Sequence, residues 1–190
     1  VAPLGVWPLF FVTQDGSSIR TIADLKGKRV AVGARGSGME NHTRLIFGAM
    51  GMTFKDIKPV YLSFGPGARA VKDGKADAQF QCCAPNPALT ELSELSKVRA
   101  VELGAMKDKV LAVPVYGETA LKAGAFKGHN KDLPAIADVN AWYAHKSLGN
   151  DIAYLYAKTI IEGYETFAKK MPQFASVKDV FDAARKNGIK

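Results

Sequence analysis

The sequence predicts an α/β fold, a mostly parallel sheet flanked by helices. Two patterns carry that prediction. Short apolar runs with strand character alternate with helical segments at the spacing of βαβ units. Three loops, ARGSGMEN, SFGPGARA and CCAPNPA, each follow a strand and open a helix. All three therefore fall on the carboxyl edge of the sheet, where open α/β sheets bind ligands. The chain has 190 residues and is 47% hydrophobic, enough for one sizeable core or for one domain and part of another.

In order along the chain, PLFFVTQD reads as a strand followed by the turn GSS. Thr21 to Lys26 read as one helical turn closed by Gly27, and KRVAVG as a buried strand. The next helix places His42, Leu45, Ile46, Ala49 and Met50 on one face and ends at Gly51. KPVYLS is a third strand, GARAVKDG a short helix, and ADAQFQCC a fourth strand. PNPALTELSEL is a helix with proline in its first turn, where no N–H is required, and VRAVEL is a fifth strand. YGETALKAGAFKGHNKDLPA reads mostly as loop, and AIADVNAWYAH as a strand. Asn150 is expected to cap a long helix that packs Ile152, Leu155, Tyr156, Thr159, Ile160, Gly163 and Phe167 into a core. Ser176 with Asp179 resembles a capping box for a last helix.

Composition removes several classes of function. The net charge is +8, which suits anionic solutes or surfaces. The basic residues are scattered among acids in short runs such as KDGK, with no nucleic-acid-binding motif, so no nucleic-acid partner is expected. No run of 18 apolar residues is present to span a membrane. VAPLGVWPLFFV holds two prolines and lacks a basic leader, so no signal peptide is expected within this chain. No His, Asp or Glu spacing suggests a metal, and no cofactor is expected. The only two cysteines, Cys82 and Cys83, are adjacent; their Cα atoms lie about 3.8 Å apart, shorter than ordinary disulfides span.

The glycine-rich loop before the second helix invites a nucleotide reading, which fails. Gly33 and Gly38 have P-loop spacing, but Met39 and Glu40 stand where lysine and a hydroxyl are needed. Gly36 and Gly38 begin a dinucleotide fingerprint, but Asn41 occupies the third glycine position. A small anion held by helix N–H groups remains, beside the alternative of an ordinary βα turn.

Five elements, DLKGKRVAVG, GSG opening a helix, DIKPVYLS, KDGKADAQF and PNPALTEL, together resemble the core of TAXI-type solute receptors over most of residues 20–93. These receptors are the extracytoplasmic binding components of TRAP transporters. LPAIADVNAWYAHKSLGNDIAYLYAKTIIEG resembles the family's return strand and following helix. The resemblance implies a type II periplasmic-binding-protein fold with two α/β lobes, the first lacking its N-terminal part here. Residues 1–19 would be a connecting strand, 20–115 the ligand lobe, 116–148 a loop and return strand, and 149–190 helices of the other, incomplete lobe. It implies a periplasmic protein that captures a small organic anion, an amino acid or a glutamate-like dicarboxylate, for TRAP membrane subunits. It also implies that Ser37, Gly38, Met39, Glu40, Asn41, Cys83, Ala84, Pro85 and Asn86 face the ligand. Met39 and the paired cysteines stand where smaller residues are common, which implies a bulkier or less polar ligand.

Read from its chemistry, Arg35 is the best cation for a carboxylate clamp and equally a solvated loop arginine. Glu40 reads first as a complement to the helix dipole. The competing classes are a cysteine-dependent enzyme with Cys83 as nucleophile and a ligand-sensing domain of a regulator. The enzyme needs a base, and His42, His129 and His145 are linked to Cys83 by no motif. Self-association through the C-terminal helices is a further expectation.

Overall fold

The structure, a computed structural model, describes residues 2–170 and 178. Contacts divide the chain into a larger unit, Pro8–Ala137, and a smaller one formed by Val1–Trp7 with Asp138–Lys190. Ser176 and Asp179 lie outside the described residues.

In the larger unit, β1 (Ala2–Gln14) enters through its C-terminal half. It is followed by β2 (Arg29–Ala31), α1 (Gly38–Ala49), β3 (Lys58–Val60), α2 (Phe64–Lys72), β4 (Ala78–Cys82), α3 (Pro87–Leu95) and β5 (Val98–Val101). The strand order is β3-β2-β4-β1-β5. β2 runs parallel to β3 and to β4, as the βαβ spacing predicts. β1 runs antiparallel to β4 and to β5, with Leu9 opposite Cys82 and Thr13 opposite Ala78. The sheet is therefore mixed rather than mostly parallel.

Alternation along β1 covers both faces of the sheet. Leu9 and Phe11 join one buried cluster with Val30, Ile46, Phe47 and Phe80. Phe10 and Val12 join the other with Ala31, Val71, Leu89 and Leu92. Thus α1 packs on one face, and α2 and α3 pack on the other. Phe11 stacks on Phe47 at 5.8 Å and meets Phe80 edge-on at 5.4 Å. Such pairs add to the stabilisation from area burial.

Several elements differ from expectation. The buried face of α1 is Met39, Thr43, Ile46 and Phe47, while Leu45 is exposed. A shift of one position rotates a helix face by about 100°. After α4 (Lys107–Leu111), GETAL forms β6 (Gly117–Leu121), a strand where a loop is predicted. Its glycine and charged neighbours mask a pattern that antiparallel pairing with β7 (Leu133–Trp142) makes regular.

In the smaller unit, Gly149, not Asn150, is the N-cap of α5 (Asn150–Glu162), and Gly163 separates it from α6 (Tyr164–Lys170). Ile160 and Tyr164 are buried beside Trp142 and Phe167, but Ile152, Leu155 and Tyr156 are exposed. The predicted core stripe is thus only half realised among the described residues.

Candidate functional site

The candidate site is the edge where β2, β3 and β4 end and α1, α2 and α3 begin. The three strands are mutually parallel, so their following loops lie at one edge. The N-caps are Ser37, Ser63 and Asn86, each in extended conformation. Helix starts leave backbone N–H groups facing outward and carry partial positive charge, so three of them on one edge favour an anion.

The α1 loop is built by its own side chains. The Ser37 hydroxyl accepts the Glu40 N–H at 3.3 Å. Glu40, nearly buried, accepts the Gly36 N–H at 2.7 Å and the Arg44 guanidinium at 2.6 Å. This is a capping box displaced by one residue, since a capping-box acid ordinarily reaches the cap residue's own N–H. Arg44, the N–H of Gly36 and the nearby Arg35 hold the Glu40 carboxyl below its usual range. Gly33 has φ +105, and a Cβ there would stand 2.4 Å from the Met39 Cβ and 2.9 Å from the Glu40 nitrogen. Only glycine fits against the start of α1.

Arg35 is exposed and lies over the Tyr61 ring, 3.8 Å from its centroid. That contact holds the cation between the first and second loops. Gly38 and Asn41 are exposed and Ser37 is half-buried. Met39 and Glu40 are 7% exposed, and Met39 belongs to the core cluster. Neither side chain faces a ligand, because both point inward from the first turn of α1. The bulkier ligand implied by Met39 loses its basis.

The third loop is held by a buried amide relay. The Asn86 amide donates to Gln81 Oε1 at 3.1 Å and to the Cys82 carbonyl at 3.0 Å. Its oxygen accepts the Leu89 N–H at 3.0 Å and caps α3. Gln81 donates to Gln79 Oε1 at 2.9 Å, and Gln79 donates to the Phe64 carbonyl at 2.9 Å, in the first turn of α2. Both glutamines are fully buried. Both hydrogens of the Asn86 amide are used, so Asn86 positions the loop rather than contacting a ligand through its amide. Cys83 is half-buried with φ 60, Ala84 packs against the core cluster that contains Leu89, and Pro85 is exposed after a cis peptide bond.

Sequence reasoning names no residue in the second loop. Ser63 is exposed, and its hydroxyl makes no capping bond. Tyr61 carries Arg35. The signal available was the SFGPG turn, without a reason to single out either side chain. A depression of about 510 Å³ lined by Asp15, Glu94, Lys97, Arg99 and Lys127 lies beside the first residue of β5, on the opposite edge. Its Lys127 and Glu94 pair at 2.7 Å. Its charges are mixed, and it lacks the convergent helix starts.

Among solved structures, a Listeria monocytogenes protein described provisionally as an L-cystine ABC transporter is 16% identical, with a TM-score of 0.51 over 90% of this chain and 61% of its own. A Streptococcus mutans structure from work on glutathione import through GshT and the cystine importer TcyBC is 15% identical, with a TM-score of 0.51 over 90% and 60%. The chain thus spans about three fifths of these proteins. They are type II periplasmic-binding-protein folds, and this chain shares that α/β fold. The profile of the NMT1-like family matches residues 1–187, so the chain belongs to the NMT1-like family.

Proposed function

We propose that this chain supplies one wall of an extracytoplasmic solute receptor that holds a small organic anion, an amino acid or a glutamate-like dicarboxylate. One observation carries the reading: three helix starts share one edge with the exposed residue Arg35. The anion sits against the N–H groups of Gly38 and Met39, with Arg35 pairing its carboxylate and the Ser63 hydroxyl as a further donor. Asn41 and Gly38 border the same edge, whereas Cys83, Ala84 and Pro85 shape the third loop. The resemblance to TAXI receptors supports TRAP membrane subunits as the partner and a periplasmic location. The fold neighbours are associated with ABC systems instead, and uptake by vesicles carrying each kind of membrane subunit separates the two.

The enzyme reading is disfavoured by where the imidazoles go. His42 meets the Tyr116 hydroxyl at 3.0 Å and stacks on Phe80, His129 meets the Leu121 carbonyl, and His145 meets Ser147. Each ring already has a structural contact.

The test is titration of the chain with glutamate, succinate and 2-oxoglutarate, followed through the backbone amide signals of Gly36, Gly38 and Gly65. Saturable shifts confined to those loops, weakened about tenfold in Arg35→Ala by loss of a charge-assisted pair, are expected. Shifts absent with every acid, or unaffected by Arg35→Ala, refute the anion site.

A further inference from the structure

We infer that Cys82 and Cys83 form a reversible redox modification site on the loop that opens α3. The two sulfurs lie 2.7 Å apart, both residues are thiols, and both are half-buried. These 190 residues hold no other cysteine, so within them each can pair only with the other. A low-molecular-weight disulfide is the oxidant. One cysteine thiolate attacks a sulfur of the oxidant, forming a mixed disulfide and releasing one thiolate. The second cysteine then attacks the protein sulfur of that mixed disulfide, closing the Cys82–Cys83 bond and releasing the other thiolate. Two protein thiols are oxidised, the external disulfide is reduced to two thiols, and the two protons pass to the leaving thiolates.

The bond spans neighbours whose Cα atoms are about 3.8 Å apart, closer than ordinary disulfides allow. A strained, partly exposed disulfide is readily reduced again, which makes the site a switch rather than a staple. The closed ring contains the Cys82–Cys83 peptide, whose carbonyl accepts the Asn86 amide at 3.0 Å. Twisting that peptide loosens Asn86, and Asn86 caps α3 through the Leu89 N–H. Oxidation is thereby read out at the start of a helix on the candidate site, whichever solute that site holds.

The experiment treats the chain with oxidised glutathione and measures intact mass and amide exchange. The expected product has lost two hydrogens and carries no glutathione, and dithiothreitol restores the starting mass. Cys82→Ser and Cys83→Ser each retain a glutathione adduct instead. The Leu89 amide exchanges roughly fivefold faster in the oxidised chain, the equivalent of one weakened hydrogen bond. A persistent glutathione adduct on the unaltered chain, a disulfide-linked dimer, an unchanged mass, or Leu89 exchange that ignores oxidation overturns the proposal. None of these readouts needs a solute, so failure of the anion site would leave them interpretable.

Discussion

The Glu40 carboxylate holds the Gly36 N–H at 2.7 Å and the Arg44 guanidinium at 2.6 Å, so one nearly buried acid ties a glycine loop to its own helix. Glu40→Ala removes both bonds and leaves the Gly36 N–H without its acceptor. The expected result is a melting temperature lower by several degrees, read by calorimetry, with sharper loss of anion binding than of helix content. Glu40→Gln keeps an acceptor for Gly36 and is expected to fall between the two.

The same acid predicts a pH dependence. The Glu40 carboxyl is held low, first by Arg44 and then by the Gly36 N–H. Asp77 is held low by Arg29, which it meets through both guanidinium and backbone bonds. A carboxyl depressed in the folded state binds fewer protons folded than unfolded, so its contribution is present above the unfolded value. That contribution is lost as pH falls through the depressed folded value. Stability is therefore expected to be flat near neutrality and to decline below about pH 4, the ordinary carboxyl range. Urea unfolding across pH 2–6 measures this, and Glu40→Gln should flatten part of the decline.

Two glycines in one loop should respond differently. Gly33→Ala drives a Cβ into the backbone of α1 at φ +105. Gly36, with φ +74, has open space around the position of a Cβ. The expected cost is about 3 kcal/mol for Gly33→Ala and about 1 kcal/mol for Gly36→Ala, measured by denaturant unfolding. Equal costs would mean that the close approach to Met39 and Glu40 is relieved by movement of the loop.

Gln81→Leu cuts the relay at its middle. It removes the donor to Gln79 Oε1, buried within β4, and the acceptor of the Asn86 amide. Burying unsatisfied amide groups costs about 1–3 kcal/mol. Gln81→Leu with Asn86→Ala should cost less than the two singles added, because both act on one bond. A double-mutant cycle by chemical denaturation tests the coupling.

Phe80→Ala empties a position that contacts Phe11 edge-on and stacks on His42. A fully buried phenylalanine lost to alanine costs about 3–5 kcal/mol. The expected outcome is a large drop in unfolding midpoint with the anion loops otherwise intact at low temperature.

The sequence by itself determined the parts of this protein that depend on local rules. The order β2, α1, β3, α2, β4, α3, β5 follows from apolar runs punctuated by Gly27, Gly51 and Gly74, because strand and helix periods and glycine turns act over a few residues. The three loops of the candidate edge were legible for the same reason, since parallel connectivity alone places them together. Tertiary structure decided the direction of β1, because antiparallel pairing with β4 and β5 joins residues more than 60 positions apart. It decided that GETAL is a strand, because β7 supplies the partner that makes its pattern regular. It decided which residues of SGMEN face inward, because one step around a helix moves Met39 from edge to core. It also decided that the Asn86 amide is spent on Gln81 and Cys82, since a side chain's hydrogen-bonding capacity is read from sequence but its partners come from packing.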